Sequence, residues 1–258
     1  MSRFFVSREF IKADSIYITG LEAHHILDVM RLKVSDEVVV FDGSGREYTG
    51  IVKAANRKSL EVRIKSTRES SAERGILLTL IQAIPKKDKM DYIAEKATEL
   101  GVSRIIPVTT ERTIPEWNDA KKANIVERWR KLAREAAKQC GRSDIPEISP
   151  IMSIDEAVRG FEEFDLKLIA VLSDKAIKLK DALKGTIQSA EERSRRLNVG
   201  YVPVTIVIAI GPEGDFTPEE TEDAKSAGFK IVSLGSRVLK SDTAGLAVLS
   251  MINYEYAS

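Results

Sequence analysis

The chain is poor in the residue types that build redox and metal sites. Its one cysteine, Cys140, cannot form an intramolecular disulfide, and His24 and His25 are its only histidines. No zinc site of ordinary ligand spacing can be assembled from that set, so no metal is expected. No apolar run approaches the roughly 20 residues needed to span a bilayer. The opening Met1-Ser2-Arg3-Phe4-Phe5 lacks the apolar stretch and cleavage site of a secretory signal. The expectation is a soluble cytoplasmic protein with no membrane partner. Net charge is lacking as well, since 40 Lys plus Arg face 39 Asp plus Glu. Attraction to a polyanion therefore has to come from how charge is distributed, not from its total. The patterns G-x-G-x-x-G and G-x-x-x-x-G-K are absent, which argues against a dinucleotide or nucleoside-triphosphate cradle.

What the 258 residues do contain is two different rhythms. From Phe4 to about Lys65, short apolar bursts alternate with polar residues, as in Ile16-Tyr17-Ile18, Val38 to Phe41 and Leu60 to Ile64. Turns carrying Gly20, Gly43, Gly45 and Gly50 separate them. That spacing predicts a small β-rich unit with one helix near Leu21 to Arg31, in which Leu21, His25, Val29 and Leu32 share a face. The polar stretch Thr67 to Gly75 reads as a linker, giving expected domains of 1–70 and 75–258. Beyond it, strands alternate with helices. Strands are expected at Ile76 to Ile84, Ile105 to Val108, Leu166 to Leu172, Val204 to Ile210 and Lys230 to Leu234. Helices are expected up to Leu100, at Asn118 to Cys140, at Pro218 to Ala227 and from Ser241. The alternation implies an α/β domain around a parallel sheet. The charged stretch Lys180 to Asn198 reads equally well as helix or loop.

In an open parallel sheet, ligands bind beyond the carboxyl ends of the strands. Two such ends stand out: Ile210-Gly211-Pro212-Glu213-Gly214-Asp215-Phe216, and Leu234-Gly235-Ser236-Arg237-Val238-Leu239-Lys240. Each places glycine directly after a buried strand, where a ligand can approach the backbone closely. The first runs into Thr217-Pro218-Glu219-Glu220, a capping box with proline at the first helical position. Backbone amides with Leu234, Val238 and Leu239 as apolar walls suit an adenine.

Gly211-Pro212-Glu213-Gly214, Leu234 to Leu239 and Asp242-Thr243-Ala244 resemble the cofactor motifs of the ribosomal RNA small subunit methyltransferase E family, which belongs to the SPOUT class. The similarity continues through His24-His25 to Arg31, Phe41 to Gly45, Lys96 to Gly101, Glu111-Arg112-Thr113 and Gln139 to Pro146, covering nearly the whole chain in order. The chain departs from the family in two places: Asp215 stands where another glycine is usual, and Lys240-Ser241-Asp242 replaces Arg-Thr-Glu.

The resemblance implies a trefoil-knotted SPOUT domain preceded by a PUA-like β-barrel. It implies a homodimeric enzyme that uses S-adenosylmethionine to methylate N3 of a uridine in 16S ribosomal RNA of the small subunit. Cofactor contacts would come from Leu172, Ile210, Gly211, Pro212, Glu213, Gly214, Leu234, Gly235, Val238, Leu239, Thr243 and Ala244. Arg142, Glu213 and Arg237 would act in catalysis. The two guanidiniums suit phosphate or carboxylate clamping, against the alternative of a structural salt bridge. Glu213 would orient the base or bond the cofactor. Two other readings remain open: a SPOUT enzyme acting on another rRNA or tRNA base or a ribose 2′-hydroxyl, and a non-catalytic RNA-binding protein, against which the intact cofactor loops count.

The basic residues Lys121, Lys122, Arg128, Arg130, Lys131, Arg134, Lys138 and Arg142 form a candidate RNA face, extended by Arg57, Lys58, Arg63, Lys65 and Arg68. For His24 and His25 a packing or capping role is expected. Trp117 and Trp129 suit the core, a subunit interface or base stacking.

Overall fold

The computed structural model describes residues 3–69, 75–113, 117–161, 164–197 and 203–256. The chain packs as two compact units, one of Met1–Glu73 with Arg134–Ile145, the other of Arg74–Ala133 with Pro146–Ser258.

In the first unit, β1 (Arg3–Phe5), β2 (Ser15–Thr19), β3 (Glu37–Phe41), β4 (Arg46–Ala55) and β5 (Ser59–Glu69) form one sheet in the order β1-β3-β4-β5-β2. Pairing is parallel between β1 and β3 and antiparallel elsewhere, giving a half-barrel. Period-two alternation turns Ile16, Ile18, Leu60 and Val62 inward onto Phe4, Val38, Val40 and Val52.

The helix expected over Leu21 to Arg31 is shorter and of two kinds. α1 (Gly20–His24) passes into a π-helical turn over His25–Val29, with the Met30 amide donating to the His25 carbonyl. The wider turn moves the buried face, so Ala23 and Ile26 pack inward while Leu21 and Val29 are exposed.

The first unit also recruits a segment that a linear boundary misses. The Gly45 amide donates to the Ser143 carbonyl and the Ile145 amide to the Gly43 carbonyl, both at 3.0 Å. Lys138 pairs with Glu22 at 2.9 Å, and the Arg134 guanidinium lies over the Phe5 ring. At the expected linker, β5 continues to Glu69, and residues 70–74 lie outside the described residues.

The second unit runs β6 (Ile76–Ala83), α2 (Lys89–Glu99), β7 (Arg104–Thr109), α3 (Asp119–Cys140), β8 (Glu147–Ile148), β9 (Met152–Ser153), α4 (Ile154–Arg159) and β10 (Leu166–Ala170). It continues with β11 (Ile177–Lys178), α5 (Leu179–Leu183), α6 (Thr186–Leu197), β12 (Val204–Ile210), α7 (Pro218–Ser226), β13 (Lys230–Ser233) and α8 (Ser241–Tyr256). The last turns of α3 belong to the first unit. The charged stretch from Lys180 forms two helices, the end of α5 up to Leu183 and α6 from Thr186 to Leu197, separated by a turn at Lys184-Gly185, and Asn198 lies outside the described residues.

The strands form an all-parallel sheet in the order β11-β13-β10-β12-β6-β7-β8, with β9 pairing β7. Both faces of the sheet are covered. Along β12, Ile206, Ile208 and Ile210 join the core made with α2, α3 and α8, while Val207 and Ala209 join the core made with α4 and α7. That explains the unbroken apolar run in the sequence of β12. Because β12 comes late in the chain yet lies between β6 and β10, the carboxyl ends of β10, β12 and β13 are gathered side by side. No helix among the described residues is long and apolar enough to cross a membrane.

Candidate functional site

A cleft of about 250 Å³ opens where those three strands end. Its walls come from the strand ends and the segments that follow: Leu172 beyond β10, Ile210 at the end of β12 with Gly211 to Glu213 and Asp215 beyond it, and Leu234, Gly235 and Arg237 to Lys240 beyond β13. Ser241 and Ala244 at the start of α8 close one side. The mixture of apolar side chains and strand-end backbone is that of a small-molecule site.

Ten of the residues expected to hold a cofactor lie on this cleft: Leu172, Ile210, Gly211, Pro212, Glu213, Leu234, Gly235, Val238, Leu239 and Ala244. Two do not line it. Gly214 faces the loop after β7, where the Arg112 Nη1 donates to the Gly214 carbonyl at 2.6 Å. A Cβ on Gly214 would meet the Arg112 Cδ at 3.2 Å, so this glycine makes room for arginine. Thr243 is exposed on the first turn of α8, which presents Ala244 to the cleft instead.

A buried polar relay fixes the cleft floor. The Gln82 side chain, fully buried at the end of β6, donates from Nε2 to the Ser241 Oγ at 3.0 Å. The Ser241 hydroxyl in turn donates to the Gly211 carbonyl at 2.6 Å. One chain of hydrogen bonds thus ties β6, the β12 loop and α8 together. The departure at Ser241 from the usual threonine keeps the hydroxyl that the relay uses.

Glu213 is held from two positions, the loop after β6 and the start of α2. Its carboxylate accepts from the Lys86 amide at 3.2 Å and from the Lys89 Nζ at 3.1 Å, and Lys89 also lies 3.6 Å from the Asp242 carboxylate. Burial pushes the Glu213 carboxyl up, but a hydrogen bond to its own backbone, the Lys89 ammonium and the Lys86 amide together hold it below the ordinary carboxylate range. Glu213 is therefore an ionised hydrogen-bond acceptor and a weak proton acceptor. Its carboxylate neighbours in turn raise the Lys89 ammonium.

The two arginines differ. Arg237 is exposed on the cleft rim and has no hydrogen-bond or ion-pair partner among the described residues. Arg142 belongs to the first unit and is paired with Asp144 at 2.5 Å, the salt-bridge alternative.

Most of the basic residues along α3 are likewise engaged. Arg128 bonds Asp91, Arg130 bonds Glu127 and the Ile148 carbonyl, Lys122 pairs with Asp119, and Lys121 lies over Trp117. Helical spacing spreads these residues around the axis, where each meets an acid or a ring. In the small unit, Arg57, Lys58, Arg63 and Lys65 are exposed and have no ion-pair partner among the described residues.

Trp129 is buried and donates to Asp91, with Trp117 beside it, so both pack the core. His24 bonds Asp28, and His25 packs edge-on against Phe4, so both serve local packing. Sequence reasoning passed over Gln82 and Lys89. Their roles depend on partners well over a hundred positions away, which no local spacing signals.

Comparison with known proteins places the chain in a family. A family model described as an RNA methyltransferase domain matches residues 72–253, and one described as an RNA methyltransferase PUA domain matches residues 18–65. Ribosomal RNA small subunit methyltransferase E of Bacillus subtilis is 28% identical over 99% of this chain and 97% of its own length. The Rickettsia conorii protein of the same name is 30% identical, over 89% of this chain and 85% of its own. A crystal structure of ribosomal RNA small subunit methyltransferase E from Neisseria gonorrhoeae bound to S-adenosyl methionine superposes with a TM-score of 0.82. It is 29% identical and covers 99% of this chain and 98% of that one. With both domains matched and whole-length relatives of one name, the chain belongs to the RNA methyltransferases, in the family of ribosomal RNA small subunit methyltransferase E.

Proposed function

We propose that this chain transfers a methyl group from S-adenosylmethionine to N3 of a uridine in 16S ribosomal RNA of the small subunit, as a cytoplasmic homodimer. The observation that carries the reading is the cleft at the ends of β10, β12 and β13, whose apolar walls and open strand-end backbone suit an adenosine. Gly235 has a φ of +131°, and nothing lies within 4 Å of where its Cβ would be, so the backbone there is open to close approach. Leu172, Ile210, Leu234, Val238 and Leu239 supply the apolar contact, with Gly211, Pro212, Gly235 and Ala244 completing the surface. The solved Neisseria gonorrhoeae relative holds this cofactor. When bound, the cofactor supplies an electrophilic methyl group on a sulfonium.

The chain's own residues do the positioning, which is most of what such a transfer asks of a protein. Glu213, held ionised at the cleft edge, accepts a hydrogen bond from a ribose hydroxyl of the uridine or of the cofactor and so orients it, leaving the N3–H direction, along which the methyl group must arrive, unobstructed. Its depressed carboxyl leaves removal of the N3 proton to solvent or another group. Arg237 is free to take an RNA phosphate with paired donors. The barrel domain, residues 1–70 joined by the 134–145 segment, holds RNA through Arg57, Lys58, Arg63 and Lys65, and the rest of 75–258 forms the catalytic domain, its last segments threaded as a trefoil knot. The exposed apolar residues Leu172, Val238, Met251 and Tyr254 favour a second copy as the partner that covers this end of the unit.

The test is nucleoside mass spectrometry of small-subunit particles lacking their own modification, after incubation with this protein and S-adenosylmethionine. New 3-methyluridine is the expected result. A different methylated nucleoside would move the substrate to another RNA position, and no product together with no cofactor binding would leave an RNA-binding protein.

A further inference from the structure

Asp215 combines three features that the reading above does not use. Its backbone is left-handed, with a φ of +61°, a conformation that non-glycine residues enter reluctantly. Its side chain bridges two loops: Oδ2 accepts from the Leu172 amide at 3.0 Å, and Oδ1 accepts from the Phe216 amide at 2.9 Å. It also lines the cleft. The turn is completed by the Asp215 amide donating to the Pro212 carbonyl at 3.0 Å.

The location gives this bridge its meaning. The ladder between β10 and β12 ends at the pair Ala170 and Ile210, so Leu172 lies beyond the last rung and its amide would have no strand partner. Asp215 supplies one. The carboxylate fits because Gly211 has no side chain: a Cβ there would lie 3.3 Å from the Asp215 Oδ1. A glycine at 215 would relax the backbone but could not reach Leu172. The chain therefore holds a strained residue in exchange for a side-chain tie between two cleft walls.

We propose that Asp215 is a positioning residue that clasps the Leu172 wall to the Gly211 loop, so that the cofactor cleft is formed before its ligand arrives. The ligand is S-adenosylmethionine, so the inference rests on the cofactor reading above. Preorganisation lowers the ordering cost of binding and shows in affinity, not in the chemical step. Asp215→Gly is expected to bind S-adenosylmethionine about tenfold more weakly, the scale of one charge-assisted tie lost from a pre-ordered site. Its KM for the cofactor rises in step with the weaker binding. It melts at or above the wild-type temperature, because a left-handed position favours glycine.

The experiment is titration calorimetry of S-adenosylmethionine on wild type, Asp215→Gly and Asp215→Asn, with hydrogen exchange of the segment containing the Leu172 amide measured without ligand. The proposal expects faster exchange at Leu172 and weaker binding in Asp215→Gly. Asp215→Asn, which keeps one carbonyl acceptor, should fall between it and wild type. Wild-type affinity and exchange in Asp215→Gly would overturn the clasp and leave the cofactor reading standing. Weaker binding with a lowered melting temperature and unchanged exchange at Leu172 would also overturn it, by assigning the effect to the fold at large. Failure of wild type itself to bind S-adenosylmethionine would instead overturn the cofactor reading, and the clasp with it.

Discussion

The two glycine-bearing loops that face each other across the cleft follow the same plan in sequence, yet the structure builds them to opposite ends. The loop after β12 is tied down at nearly every residue. Ser241 holds Gly211, Lys86 and Lys89 hold Glu213, Arg112 holds Gly214, and Asp215 holds Leu172. The loop after β13 has little beyond the Ser233 hydroxyl bonding Gly235, and its residues 235–238 are exposed. Arg237 has no partner there, and Val238 is 74% exposed. One loop is held in shape by the chain's own hydrogen bonds. The other is available to be ordered by what it meets, which for an exposed arginine beside an apolar side chain fits RNA and a second protein surface.

Four substitutions would break or sharpen that contrast. Glu213→Ala removes the acceptor that the tied loop presents, and turnover should fall about a hundredfold, the scale of losing one preorganised polar contact in a catalytic site. Single-turnover methylation with a thermal melt checks that the fold survives. Arg237→Ala should weaken RNA binding about tenfold while leaving cofactor affinity and melting temperature unchanged. A fall in melting temperature would show that the second loop is structural after all. Ser241→Ala cuts the relay and leaves the buried Gly211 carbonyl without its donor, a loss of about 1–3 kcal/mol readable as a lower urea midpoint at constant slope.

The smallest effect concerns pH. Folding lowers the Glu213 carboxyl below its ordinary value of 4.5, so its ionised form contributes stability in full above that value. That contribution is lost as pH falls through the lower folded value. Lys89→Met lets the folded value rise again, so wild type should exceed the variant in stability above about pH 4.5. The difference should close in acid. A difference that persists unchanged in acid would mean that Lys89 acts by packing.

Much of this arrangement is legible in the sequence because it is local. The capping box at Thr217 and Glu220 forms as its spacing requires, with the Glu220 amide donating to the Thr217 hydroxyl. Strand-to-helix alternation marks the parallel sheet, and glycine after a buried strand marks the cleft. What is not legible is pairing at long range. Nothing near Gln82 announces Ser241, and nothing near Lys89 announces Glu213. Gly214 reads as a ligand glycine, although its missing side chain serves Arg112. The π-helical turn after His24 escapes because an apolar pattern of helical period has no sign for one residue too many.

The path of α3 bears on how the protein could be taken apart. This single helix begins in one compact unit and ends in the other, and the chain passes between units near residues 73, 133 and 145. The barrel is therefore not a terminal cassette that one junction could graft onto another enzyme. A protease cut between Glu69 and Gly75 would leave residues 134–145 still docked on the small sheet through the Gly43, Gly45 and Glu22 bonds. The two fragments would then behave as complementing halves and not as independent domains.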